Sequence, residues 1–158
     1  MARVAVLACA LACGVVAAAD PPATSDLEKA QGNWKPLQCE YEGKVQMPAN
    51  LMQQVTVVFD KSEYHLYFKE SKPDKNGQPV VFRLALANVK FDESTTPKGV
   101  EFVFADGPLK GKKCHGIYEL AGNQLKLCYA PDNKPKPTKF ESAPGSGCFL
   151  ETWARQPK

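Results

Sequence analysis

Apolar and polar residues alternate along most of the chain, which is the pattern of β-strands that bury one face. The clearest case lies within residues 116–140, where Gly122 and Asn123 stand between two alternating runs. This dipeptide tolerates the positive φ that a tight turn between strands requires. The segment therefore predicts a β-hairpin. Its buried face carries Tyr118, Leu120, Leu125, Leu127 and Tyr129.

Eight runs of this kind are expected to be strands, and residues typical of turns separate them. They cover residues 34–41, 54–59, 63–69, 80–87, 99–105, 113–120, 124–130 and 148–155. A short helix over residues 25–31 precedes them, because Ser25 and Glu28 form a capping box and Gly32 ends it. Eight antiparallel strands with local connections favour an all-β, eight-stranded up-and-down barrel, since closure removes exposed sheet edges.

The positions expected to face inward are rich in large side chains. They are Val57, Phe59, Tyr64, Leu66, Phe68, Phe82, Leu84, Leu86, Phe102, Phe104, Tyr118, Leu120, Leu125, Leu127 and Tyr129. A barrel of eight strands is just wide enough to be filled by side chains or to hold one small ligand. Both interpretations stay open. For a cup that holds an apolar ligand, the candidate binding residues are Tyr64, Phe82, Phe102, Tyr118 and Tyr129.

The first residues resemble a secretory signal peptide. Arg3 supplies a positive charge, residues 4–16 are apolar, and residues 17–19 are three alanines before Asp20. This apolar run is too short for a transmembrane helix. We therefore expect a signal peptide over residues 1–19, one domain over residues 20–158, and export to the periplasm or the cell exterior. A lipoprotein signal at Cys9 or Cys13 is the alternative, although neither fits a lipid-attachment box well.

Charge gives no indication of a nucleic-acid partner. The formal net charge is +3, and removal of Arg3 with the signal peptide leaves +2. Lysines 110, 112, 113, 134, 136 and 139 lie in predicted loops, where no aromatic residues are interleaved with them as a stacking platform. Solvated loops are the expected interpretation.

Four cysteines remain after the signal peptide: Cys39, Cys114, Cys128 and Cys148. An even number in an exported chain predicts at least one disulfide. A bridge between Cys114 and Cys128 is excluded by the predicted hairpin, because alternation directs these two side chains to opposite faces. No metal site is expected, since there is no C-x-x-C motif and Cys114 and His115 also point to opposite faces.

The motifs of the common enzyme classes are absent from the sequence. There is no Gly-x-Ser-x-Gly elbow, no H-E-x-x-H helix and no phosphate-binding loop. Ser146 follows Gly145 in a turn between strands, without a helix after it. We therefore expect a protein that is not an enzyme and needs no cofactor.

Several of these segments resemble a known family. The hairpin GIYELAGNQLKLCYA, the later Pro137-Thr138-Lys139-Phe140, and Thr96-Pro97-Lys98 are similar to the uncharacterised lipocalin-like secreted domains expanded in Planctomycetes. Gly32-Asn33-Trp34 resembles the Gly-x-Trp signature that opens lipocalins. Arg155 is placed like the lipocalin arginine that stacks on this tryptophan.

The resemblance implies a lipocalin-like barrel whose floor is closed by a cation–π contact between Trp34 and Arg155. The family has no assigned activity. Lys136 stands where the family often has arginine, and Cys39, Cys114 and Cys148 are not part of its pattern. The expected function is an exported, non-catalytic binding protein for a small apolar ligand. The alternative is a protein-interaction or envelope-structural module with a filled barrel, acting through its outer loops.

Overall fold

A computed structural model describes residues 24–157; the expected signal peptide lies outside these residues. Two short helices and nine strands follow one another along the chain. They are α1 (Asp26–Ala30), β1 (Gly32–Tyr41), β2 (Lys44–Val45), α2 (Ala49–Met52), β3 (Val55–Asp60), β4 (Glu63–Lys69), β5 (Val81–Asp92), β6 (Gly99–Asp106), β7 (Lys113–Ala121), β8 (Gln124–Pro131) and β9 (Phe149–Arg155).

The strands form one closed antiparallel barrel. Strands β1 and β3 to β9 are hydrogen-bonded in chain order, and β9 returns to pair with β1 from Trp34–Arg155 to Tyr41–Phe149. The predicted eight-stranded, up-and-down all-β barrel is therefore confirmed. The two-residue strand β2 only extends a hairpin from β1, and neither β2 nor the single turn α2 was predicted from the sequence.

The barrel interior is packed with aromatic side chains. Tyr64 lies edge-on to Phe59 and Phe102, with ring centroids 5.6 and 5.4 Å apart, and Phe102 contacts Tyr129 at 5.1 Å. Edge-to-face contacts of this kind are favoured by the charge distribution of the rings. The predicted inward set is correct for most strands, including Val57, Leu125 and Leu127, which are fully buried.

The prediction for β5 was wrong. Ala85, Ala87, Val89 and Phe91 face the core, whereas Leu84 is 41% exposed on the outer side and Leu86 shares that side. Ala87 pairs with Tyr64 on one neighbour and with Phe104 on the other. The short Ala87 side chain leaves room for these two rings inside the barrel. The face of β5 that carries Ala85 and Ala87 therefore points inward.

Helix α1 closes one end of the barrel, which we call the floor. Trp34 is fully buried, its Nε1 donates to the Ala30 carbonyl at 2.8 Å, and the Arg155 guanidinium stacks on its ring at 4.3 Å. Arg155 also donates to the carbonyls of Lys29 and Gln31 at the end of α1. The predicted Trp34–Arg155 contact is confirmed, and it ties the helix to the first and last barrel strands.

Gly32 makes the entry into β1 possible. Its φ is +109°, a conformation that residues with a Cβ rarely adopt. The capping box at the other end of α1 is also formed: the Glu28 amide donates to Ser25 Oγ at 3.2 Å, and the Ser25 amide donates to Glu28 Oε2 at 2.9 Å. No helix within residues 24–157 is both long and apolar enough to cross a membrane.

Candidate functional site at the open end of the barrel

The end of the barrel opposite α1 contains an almost wholly apolar pocket of about 210 Å³. It lies between β4, β5, the end of β6, the β6–β7 connection and the start of β9. Its walls are Tyr64, Leu66, Ala85, Phe104, Pro108, Leu109 and Phe149. Phe149 pairs with Tyr41 at the far end of β1 from Trp34, which places the pocket at the mouth of the barrel.

A buried polar cluster lies in the interior beside the pocket residues. Glu151 is 6% exposed and accepts hydrogen bonds from Tyr129 Oη at 2.9 Å and from Trp153 Nε1 at 3.1 Å. The Cys39 thiol is 4.0 Å from Glu151 Oε1. The ring of Tyr129 stacks on Phe149, a pocket wall, with centroids 5.2 Å apart. The cluster is thus connected to the pocket through the Tyr129 and Phe149 rings.

The Glu151 carboxyl has no cationic partner among the ion pairs of the described residues. Burial raises its pKa to about 7, although the hydrogen bonds from Tyr129 and Trp153 favour the charged form and oppose the shift. Burial and the charge of Glu151 also raise the pKa of Cys39, to about 12, and raise the pKa values of Tyr64 and Tyr129 well above the ordinary value. The cluster therefore contains one group that titrates near neutral pH.

The sequence predictions did not include Glu151. Phe149, Glu151 and Trp153 alternate along β9 and share one phase. Phe149 and Trp153 are aromatic, so Glu151 is the acidic residue of this phase. An acidic residue in an otherwise apolar inward phase is the sequence signal that identifies it.

The candidate ligand-binding residues are divided between different parts of the barrel. Tyr64 lines the pocket, while Phe102 and Tyr129 are buried in the core next to the pocket walls. Phe82 does not line the pocket: it pairs with Phe68 near the start of β5 and is 48% exposed.

Tyr118 lies at the floor, not at the mouth. Its hydroxyl donates to Asp26 at 3.0 Å, and its ring stacks on Phe91 with centroids 4.2 Å apart. Asp26 also binds Lys98 at 2.5 Å and Lys29 at 3.0 Å. Burial opposes ionisation of Asp26, but these donors outweigh it and the net pKa is lowered. Tyr118 is therefore part of the helix attachment.

The predicted disulfide is not present in the structure: the four described cysteines are free and buried. As the hairpin predicted, Cys114 packs in the barrel core, whereas Cys128 lies on the outer face with Ile117 and Leu150. Cys148 belongs to the same outer cluster as Cys128. Cys39 faces Glu151 across the β1–β9 pairing.

A second and larger hollow, about 360 Å³, lies outside the barrel. We call it the lysine groove, because Lys134, Lys136 and Lys139 form one side of it. Its other walls are Pro135, Pro137, Thr138, Glu141, Ala143, Gly145, Ser146 and Cys148. It is built entirely from the connection between β8 and β9.

Comparison of the chain with protein-family models, with curated proteins and with solved structures found no match. The family resemblance remains a prediction. Within residues 24–157 no group of three His, Cys, Asp or Glu side chains is arranged to hold a metal ion. The geometry of the barrel mouth and of the lysine groove is thus the basis for a functional proposal.

Proposed function

We propose that the protein is an exported, non-catalytic binding protein that holds a small apolar ligand, or the apolar end of a longer one, in the barrel mouth. The observation that carries this proposal is the pocket of about 210 Å³ with aromatic and aliphatic walls. Drug-sized sites occupy about 300–1,000 Å³, so this pocket suits one ring or a short acyl segment. The lipocalin-like barrel supports this proposal as a fold-level analogy, since the family that the chain resembles has no assigned activity.

Export is part of the same proposal. The basic and apolar pattern of residues 1–19 supports cleavage before Asp20, with lipid attachment at Cys9 or Cys13 as the alternative. The intact mass of protein recovered from the producing cells distinguishes these fates. A chain that starts at Asp20 supports export without an anchor, and a chain that retains residue 1 in the cytosol contradicts export.

Ligand binding is tested with the neutral apolar dye N-phenyl-1-naphthylamine and with two matched variants. Leu109→Asp places a charge in the pocket wall, whereas Leu84→Asp places one on the exposed outer face of β5. We expect Leu109→Asp to weaken dye binding at least tenfold and Leu84→Asp to leave it unchanged. Native mass spectrometry of protein purified without denaturation is expected to show a co-purifying small molecule. Absence of both dye binding and a co-purifying molecule removes the proposal.

A second function is favoured by the lysine groove, which is larger than the mouth pocket. In this alternative the barrel is a filled scaffold, and the loop over residues 131–139 binds a protein partner. Charge reversal of Lys136 and Lys139 then abolishes partner capture in cross-linking experiments, while Leu109→Asp has no effect. The opposite pattern supports the ligand-binding function.

A further inference from the structure

Cys128 and Cys148 meet on the outer face of the barrel. Cys128 pairs with Leu150 across β8 and β9, so Cys148 lies two positions before its partner on the same face. Both are buried, at 0% and 6% exposure, in a cluster with Ile117, Ala130 and Leu150. The two cysteines thus lie in one small cluster on the outer face, on neighbouring segments of the chain.

Both cysteines are held by other contacts. The Cys128 thiol donates to the Glu141 carbonyl at 3.4 Å. The Cys148 carbonyl accepts from Ser142 Oγ at 3.0 Å and from the Glu42 amide at 3.2 Å, which connects it to the β1–β2 hairpin. Their proximity therefore follows from the fold and does not require a bond between them.

The other two described cysteines have different surroundings. The Cys39 thiol faces the Glu151 carboxyl inside the barrel, and Cys114 packs in the aromatic core. Cys114 is separated from Cys128 by the sheet itself, since their side chains lie on opposite faces. Of the described cysteines, Cys128 and Cys148 are the two that lie in the same cluster on the same face of the sheet.

We infer that Cys128 and Cys148 form a thiol–disulfide site, and that their bond fastens the lysine groove to the barrel wall. Cys148 lines the groove, so an oxidant reaches this thiol first. The oxidant is a small or protein disulfide. The Cys148 thiolate attacks one of its sulfurs and releases one thiolate, and the Cys128 thiolate then attacks the mixed disulfide and releases the second. One S–S bond forms, one breaks, and the released thiolates take up the two protons lost by the cysteines.

This bond has a consequence for the groove. All of the groove residues lie between 134 and 148, within the chain segment that a Cys128–Cys148 bond would close. A cross-link removes conformations from the unfolded segment and so stabilises the folded loop. Oxidation therefore holds the three lysines in one arrangement, and reduction releases this constraint. Burial raises the pKa of Cys128 to about 11, so the second step is expected to accelerate as the pH rises.

The test is peptide mapping of the purified protein after incubation with oxidised glutathione, alkylation of free thiols in denaturant, and digestion with trypsin. Cleavage after Lys126, Lys139 and Arg155, with no cleavage at Lys134 and Lys136 because proline follows them, yields peptides 127–139 and 140–155. We expect these two peptides to be joined by one disulfide, with Cys39 and Cys114 alkylated. Alkylated Cys128 and Cys148, or a link from either to another cysteine, overturns the inference.

Stability supplies a second measurement. Oxidation is expected to raise the Tm of the wild-type protein by about 5–10 °C. This increase should be absent in Cys128→Ser and Cys148→Ser and retained in the control Cys39→Ala. An equal increase in all variants contradicts the assigned pair. If a serine variant does not fold, the peptide map of the wild-type protein still decides the question.

Discussion

Single residues at the floor determine how the helix and the first and last barrel strands are joined. Trp34 is fully enclosed and uses its one polar atom to bind the Ala30 carbonyl. Arg155 covers the ring and uses its donors on carbonyls at the end of α1. The Trp34 ring therefore contacts both helix α1 and the last barrel strand, so its removal is expected to lower the free energy of unfolding.

Trp34→Ala is expected to lower the free energy of unfolding by about 3–5 kcal/mol, because it leaves a large cavity and an unsupported guanidinium. Urea unfolding followed by circular dichroism measures the change. The control is Leu37→Ala, whose side chain is 53% exposed on the same strand, and its effect should stay within about 0.5 kcal/mol. Equal effects of the two variants would show that Trp34 has no special role in the floor.

Glu151 makes the free energy of unfolding depend on pH. Because burial raises its folded pKa to about 7 from an ordinary 4.5, the native state binds a proton more tightly than the unfolded state. The contribution to stability is fully present below about pH 4.5 and is lost as the pH rises towards 7, by roughly 3 kcal/mol in all. Glu151→Gln should remove this decline.

The measurement compares the free energy of unfolding at pH 5 and pH 8 for wild type, Glu151→Gln and the exposed control Glu70→Gln. The difference between the two pH values is the quantity to examine, since glutamine also loses one acceptor oxygen and has its own effect on stability. We expect the control to keep the wild-type decline. A Glu151→Gln variant with the same decline would show that another group causes it.

Among the elements, the β7–β8 hairpin is the one that the sequence predicted most fully. One phase carries only apolar and aromatic residues, whereas the other mixes Glu119 and Lys126 with smaller apolar residues. The register brings Leu120 opposite Leu125 as expected. Strand β5 has apolar residues in both phases, so alternation could not choose between them. The choice depended on the rings of Tyr64 and Phe104 on neighbouring strands, information that is not local.

The candidate site was predicted only in part for the same reason. Tyr64 is in an unambiguous strand and does line the pocket, but Leu109 and Pro108 reach it from a connection whose path depends on the whole barrel. Tyr118 was assigned to the correct face but lies at the other end, because strand alternation gives the side of a residue and not its height along the barrel.

At Gly116 the backbones of β7 and β8 lie too close together to leave room for a Cβ atom. A Cβ built at this position would lie 2.1 Å from the Cys128 carbonyl oxygen and 2.6 Å from Tyr129 Cα, both backbone atoms. Gly116→Ala is therefore expected to cost more than 2 kcal/mol in urea unfolding. Gly122→Ala is the control: nothing lies within 4 Å and only its positive φ is strained, so about 1–2 kcal/mol is expected. The reverse order would contradict the register of this hairpin.

At the scale of the whole molecule, residues near the two ends of the described range, 24–157, lie together at the floor. Arg155 touches the end of α1, and the Gln156 amide donates to the Asn33 carbonyl at 2.8 Å. The connection between β4 and β5 is exposed over residues 70–79. The ring of strands should therefore tolerate new ends in this loop once the original ends are joined.

A circular permutant tests this expectation. Residue 157 is joined to residue 24 by a short Gly-Ser linker, and the chain is opened between Asn76 and Gly77. We expect this permutant to keep a cooperative thermal transition. A permutant opened between Leu127 and Cys128, in the middle of β8, should lose the transition because it interrupts pairing with both neighbours. A cooperative melt of the second protein, or none in the first, would contradict the closed strand order.

The pairing of β1 with β9 also sets an order of events during synthesis. The first barrel strand leaves the ribosome early, but the strand that completes its hydrogen bonds is the last to be made. Until then β1 and β8 each present an open edge, and Trp34 lacks Arg155 above it. The barrel thus stays unclosed until β9 has emerged from the ribosome.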